Sequence, residues 1–130
     1  MATIKSYTDI SQSKKLAEIL PLESADMFYP TNSDWEGKII GLLDVSLYIG
    51  SDGFVDTEMG EIYAWSLAAL FNVLPNSIYD NTDEYSQLEF SKISIAYHDM
   101  NDEIKVGSIK DNLVDACVEM IIKLHEKNLL

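Results

Sequence analysis

The sequence predicts an α+β fold: a small, mostly antiparallel sheet, with a hairpin over 88–106, packed against about three helices at 10–20, 61–74 and 111–127. Three observations carry this. Helical spacing and capping residues mark both ends of the chain. Alternating apolar residues followed by a polar turn mark the hairpin. The order helix, strands, helix, hairpin, helix lacks the regular alternation of a parallel sheet. With 130 residues, no repeat and no linker-like tract, the chain is expected to form a single domain over 1–130.

The first helix opens at Thr8-Asp9, because Asp9 with Gln12 three residues later has the spacing of a capping box. Ile10, Leu16, Ala17 and Leu20 are placed on one face, and Pro21 ends the run by lacking an N–H. A short amphipathic turn is expected across Glu23 to Met27, then a turn-rich stretch from Tyr29 to Gly37. From Lys38 to Ile49 the residues are mostly Ile, Leu, Val and Tyr, which reads as strand with a bulge or break. Ser51-Asp52-Gly53 signals a turn, and Phe54-Val55 a short return strand.

Glu61 to Leu74 is apolar almost all round and reads as a central helix stopped by Pro75. Asn76 to Ser86 reads as a polar, acidic loop. Phe90, Ile93, Ile95 and Tyr97 give period-two strand character to Leu88 through His98. Asp99 to Glu103 turns the chain, and Ile104-Lys-Val106 returns as the second hairpin strand. A last helix opens at Asp111 or Asn112 and runs to about Lys127. Its apolar arc extends from Ala116 to Val118, and Asp115, Glu119, Lys123 and Glu126 lie opposite.

Composition excludes function classes more firmly than it assigns one. Twenty-two acidic residues face nine lysines and no arginine, for a formal charge of -13. Direct nucleic-acid binding is not expected, since phosphate contacts draw on clustered Lys and Arg. The same charge repels anionic membranes. No apolar stretch approaches the about 20 residues that a spanning helix needs. Cys117 is the only cysteine, so no internal disulfide forms. Met1 to Lys15 lacks the apolar centre of a secretory leader, and a cytoplasmic location is expected.

Three stretches carry a resemblance: Lys5 to Met27, Ala64-Trp-Ser-Leu-Ala-Ala-Leu70 with Leu74-Pro75, and Val114 to His125. In this order they resemble a group of small uncharacterised proteins of gut Bacteroides-type bacteria and their phages or mobile elements. The resemblance covers about a third of the chain. It implies a bacterial or phage source. It carries over no activity and no site residue.

Candidate chemistry is sparse. Cys117 and His125 share one helix, eight residues apart, which separates them by roughly 12 Å along the axis and turns them about 80° from each other. Cys117 sits within the apolar arc and reads as core. His125 lies near the helix C-terminus, where an imidazolium suits the dipole. The acidic segments 52–58 and 80–84 lack the ligand spacing of a calcium loop. His98 beside Asp99, Asp102 and Glu103 has the composition of half a metal site and equally of a hairpin tip. Ser66 lacks the flanking glycines of a nucleophile elbow, and Gly50 to Gly53 lacks the length and lysine of a P-loop.

No catalytic, cofactor-binding or metal-ligating set is therefore assigned, and no cofactor is expected. The sequence reading is a small non-enzymatic interaction or accessory protein of a bacterial mobile element or phage, monomeric or homodimeric, with a protein partner. One alternative is an acidic nucleic-acid mimic, which needs its carboxylates along one continuous face. Another is a metal-binding protein or enzyme using His98 and its neighbouring carboxylates.

Overall fold

A computed structural model of the chain describes residues 5–29, 40–41, 62–79 and 85–130. The fold is α+β, with three α-helices and two antiparallel sheets among the described residues. The chain groups into two compact units, Tyr7–Ala69, and Met1–Ser6 together with Leu70–Leu130.

In the Tyr7–Ala69 unit, helix α1 spans Ile10–Ala17. Its capping box forms as the spacing predicts. Gln12 N–H donates to Asp9 Oδ1 at 2.8 Å, and Asp9 N–H donates to Gln12 Oε1 at 3.1 Å. The buried face differs from the apolar reading. Leu16 and Leu20 are buried, Ile10 and Ala17 are exposed, and Ser13 is buried. Ser13 tolerates this because its hydroxyl is 2.7 Å from that of Thr8. The short turn expected across Glu23 to Met27 is instead a 3-10 turn at Leu22–Ser24, and Met27 already belongs to a strand.

Strands β1 (Met27–Tyr29), β2 (Ile40–Gly41) and β3 (Ile62–Ala64) make a three-stranded sheet in the order β2-β1-β3. Ile40–Gly41 is the described part of the strand expected over 38–49. The turn at 51–53, the strand at 54–55 and the acidic segments 52–58 and 80–84 lie outside the described residues. Helix α1 packs on β3. Trp65 has no exposed surface, and Leu16, Phe28 and Ala64 are buried in the same unit.

The helix expected over 61–74 is shorter. Ile62–Ala64 pairs with β1, and helix α2 spans Leu67–Val73. Continuous apolarity does not distinguish a buried strand from a buried helix, and here the pairing of Phe28 with Tyr63 decides for strand. Pro75 follows the helix as expected.

In the second unit, β4 (Ser77–Tyr79), β5 (Tyr85–Phe90), β6 (Ser94–His98) and β7 (Ile104–Ile109) form a sheet in that order. The loop expected over 76–86 thus contains a short strand. The strand expected over 88–98 is two, because the chain reverses at Ser91 to Ile93, where Ser91 N–H donates to Ser94 O at 2.8 Å. The hairpin of β6 and β7 forms where the alternation places it.

Helix α3, Leu113–Glu126, opens on Asn112, whose side chain accepts the Asp115 N–H at 2.8 Å. It packs on β6 and β7. It buries Val114, Ala116, Cys117, Val118, Met120, Ile121 and Leu124 against Ile95, Tyr97 and Val106. Each buried Val, Ile, Leu or Met side chain among these contributes about 1.5–3 kcal/mol relative to exposure. Asp115 also bonds Lys5 at 2.7 Å.

Candidate interaction surface

The four-stranded sheet has two unlike faces. Side chains alternate along a strand, so the pairings assign every residue to one of them. Ile78, Ser86, Ile95, Tyr97, Val106 and Ser108 are buried on the face that carries α3. Gln87 and Glu89 of β5, Ser94, Ala96 and His98 of β6, and Gly107 and Ile109 of β7 fall on the other.

Ile104 joins this second face because the ladder slips. Tyr97 pairs with Val106 but His98 pairs with Ile104, so Lys105 is the extra residue of a bulge. Ile104 and Ile109 are 58% and 74% exposed there. Between them a Cβ on Gly107 would stand 3.1 Å from Ile104 Cγ2 and 3.7 Å from Ala96 Cβ, which fixes Gly107 on the same face. Together they border an open groove of about 550 Å³ that also reaches Phe90, His98 and Lys123.

His98 faces the groove and lies 3.0 Å from Glu89 through Nε2, across the sheet. Its neighbour Asp99 points the other way and is spent on the turn. Asp99 Oδ1 accepts the N–H groups of Asn101 at 2.8 Å and Glu103 at 2.9 Å. The Glu103 N–H foremost, then that of Asn101 and the Lys105 ammonium, hold the carboxyl below its usual range against partial desolvation. Asp102 takes a left-handed backbone, φ 61°, as Asp tolerates in turns. His98 and Asp99 therefore serve different contacts. No group of three or more His, Cys, Asp or Glu side chains is placed to hold a metal ion among the described residues.

The remaining candidates take structural positions. Cys117 is fully buried, and desolvation pushes its thiol up to about 12. His125 is exposed in the last turn of α3. Ser66 caps the start of α2 by accepting the Ala69 N–H at 3.2 Å. Of the 22 acidic residues, twelve lie among the described residues, distributed over both units. No helix among the described residues is long and apolar enough to cross a membrane.

At the β7 edge, Glu119 of α3 gathers three partners. Ser108 Oγ donates to it at 2.8 Å, and Lys110 and Lys123 each lie 3.2 Å away. The Ser108 hydroxyl above all, then the two ammonium groups, lower the Glu119 carboxyl. Lys123 Nζ also donates to the Gly107 carbonyl at 2.7 Å. Sequence reasoning missed the apolar pair Ile104 and Ile109. Strict alternation sets residues five apart on opposite faces, and only the bulge unites them.

Comparison of the chain with family models, curated proteins and solved structures returns no match.

Proposed function

We propose that this chain is a small non-enzymatic interaction protein that docks a protein partner on the open face of its four-stranded sheet. The observation that carries the reading is the asymmetry of that sheet. One face is covered by α3, and the other exposes Ile104 and Ile109 on either side of the side-chain-free Gly107. Exposed aliphatic residues grouped on a sheet face, rimmed by His98, Glu89 and Lys123, have the make-up of a contact surface. The resemblance of Lys5 to Met27, Ala64 to Leu70 and Val114 to His125 supports an accessory role in a bacterial mobile element or phage, acting in the cytoplasm.

The test is affinity capture from a bacterial host of this kind, with proteins identified by mass spectrometry. Wild type is compared with the double variant Ile104→Asp, Ile109→Asp, which alters only exposed side chains. The expected result is a stoichiometric protein retained by wild type and lost by the variant. Equal capture by both, or a small metabolite copurifying in place of any protein, overturns the proposal.

A further inference from the structure

We infer that strand β7 is a self-pairing edge whose occupant is the β7 edge of a second copy of this chain, and that Lys123 gates it. The inference rests on the reading above in taking Ile104 and Ile109 as contact residues, and goes beyond it in naming a partner and a gate.

The backbone sets the geometry. Among the described residues, β7 is the last strand in the order β4-β5-β6-β7. Lys110 N–H donates to Ile93 O at 2.9 Å, toward the β6 side. In an antiparallel ladder the peptide groups alternate in direction. Ser108 and Val106, in step with Lys110, therefore turn toward β6, while Gly107 and Ile109 turn outward. The Lys123 hydrogen bond agrees, since it is made to the Gly107 carbonyl.

Antiparallel pairing of this edge with its own copy has a two-fold axis, so each contact occurs twice. Centred on Gly107, the pairing sets the outward peptide groups of the two glycines against each other. The bulge takes up Lys105, so Ile104 stands where it faces Ile109 of the second copy, on the same open face. One position further, Glu103 faces Lys110 of the second copy. Apolar meets apolar and acid meets base in both halves, the pairings that stabilise neighbouring strands. The central position carries no side chain to crowd the axis.

Lys123 stands against this pairing. An incoming strand lies about 4.8 Å away in the hydrogen-bonding direction, which is space the Lys123 ammonium occupies at the central carbonyl. Glu119 holds the same ammonium from the helix side at 3.2 Å. Lysine on an exposed edge is a recurrent means of preventing strand addition.

The test measures self-association by sedimentation equilibrium for wild type, Lys123→Met, Lys123→Leu, Lys123→Arg and Lys123→Met with Ile109→Lys. Far-ultraviolet circular dichroism confirms that each is folded, and two gate-opening variants keep the test decisive if one is not. The dimer dissociation constant is expected to fall by roughly tenfold or more in Lys123→Met and Lys123→Leu, the change expected from one contact regained. Lys123→Arg keeps a donor and stays with wild type. Ile109→Lys on the Lys123→Met background restores the monomer. An unchanged constant in both gate-opening variants, or a dimer that survives Ile109→Lys, overturns the inference. If the gate fails while partner capture still depends on Ile104 and Ile109, the proposed docking function stands without it. If the gate holds while capture is indifferent to these residues, the docking function falls alone.

Discussion

Asp26 holds Ser66 at two points. One carboxylate oxygen accepts the Ser66 N–H at 2.8 Å, and the other accepts its hydroxyl. The Ser66 oxygen in turn accepts the Ala69 N–H. These contacts fix the place where β3 gives way to α2, so a stretch that is apolar almost throughout breaks where its one small hydroxyl residue sits. Ser66→Ala removes the cap and one of the two Asp26 bonds. The expected loss is about 1–2 kcal/mol, the usual worth of such a cap. Urea unfolding of Ser66→Ala, Asp26→Ala and the double variant checks it. Additive losses from the two single changes would show that the residues act independently.

Thr8 is a second pivot of the same unit. It has no exposed surface. Its hydroxyl accepts the Trp65 N–H at 3.1 Å and lies 2.7 Å from the Ser13 hydroxyl. Its backbone N–H donates to Trp65 O at 3.0 Å, and its carbonyl accepts from the Tyr29 hydroxyl at 2.7 Å. Thr8→Val keeps the shape and strands two buried polar groups, at about 1–3 kcal/mol for each. Thr8→Ser keeps the hydroxyl and is expected to lose less. Denaturant midpoints followed by tryptophan fluorescence test this, and a Thr8→Val protein as stable as wild type would refute it.

Much of this architecture is legible in the sequence where local chemistry and fold agree. Asp9 and Gln12 announce α1, and the buried arc of α3 follows from its periodicity. The turn from Asp99 to Glu103 is written in residues that favour turns. Legibility fails where a short element lacks a period of its own. Ile62–Ala64 is three residues inside an apolar run, and only pairing with Met27–Tyr29 makes it a strand. Ser77–Tyr79 is equally short and reads as loop until it meets Tyr85–Gln87. Ile93 keeps the strand alternation yet occupies the turn between β5 and β6. The candidate surface was hidden for a related reason. The bulge at Lys105 answers to the register of β6 and leaves no mark in composition.

Asp99 gives a prediction on the acid side. Its side chain is 3% exposed and its carboxyl is lowered, chiefly by the Glu103 N–H. A lowered folded-state value stabilises the protein above the unfolded value, 3.8, and that stability is lost as pH falls through the folded value. Asp99→Asn retains an acceptor for the two turn N–H groups but no titrating charge. It is expected to keep more stability than Asp99→Ala at neutral pH and to show a shallower loss below pH 3.8. Unfolding free energies measured across the acid range decide it, and identical acid profiles for wild type and Asp99→Asn would remove Asp99 as the cause.

Cys117 governs the alkaline side. Burial raises its thiol from 9.0 to about 12, so the folded protein keeps the proton that the unfolded chain releases. Stability is full below pH 9.0 and falls as pH rises toward about 12, by up to about 1.4 kcal/mol per pH unit for this one proton. The Tyr97 hydroxyl, which donates to Pro75 O at 2.6 Å, is raised too, first by burial and then by Cys117. Its effect has the same sign but begins from 10.0. Between pH 9.0 and 10.0 the slope therefore reports mainly the thiol. Cys117→Val, which fills the apolar site with a group that cannot ionise, is expected to flatten the stability profile in that interval. Tyr97→Phe is expected to act only above it. The folded thiol should also resist a disulfide reagent at neutral pH and react once urea unfolds the chain. An unchanged slope in Cys117→Val, or rapid labelling of the native protein, would place Cys117 in contact with solvent and return it to consideration as a reactive group.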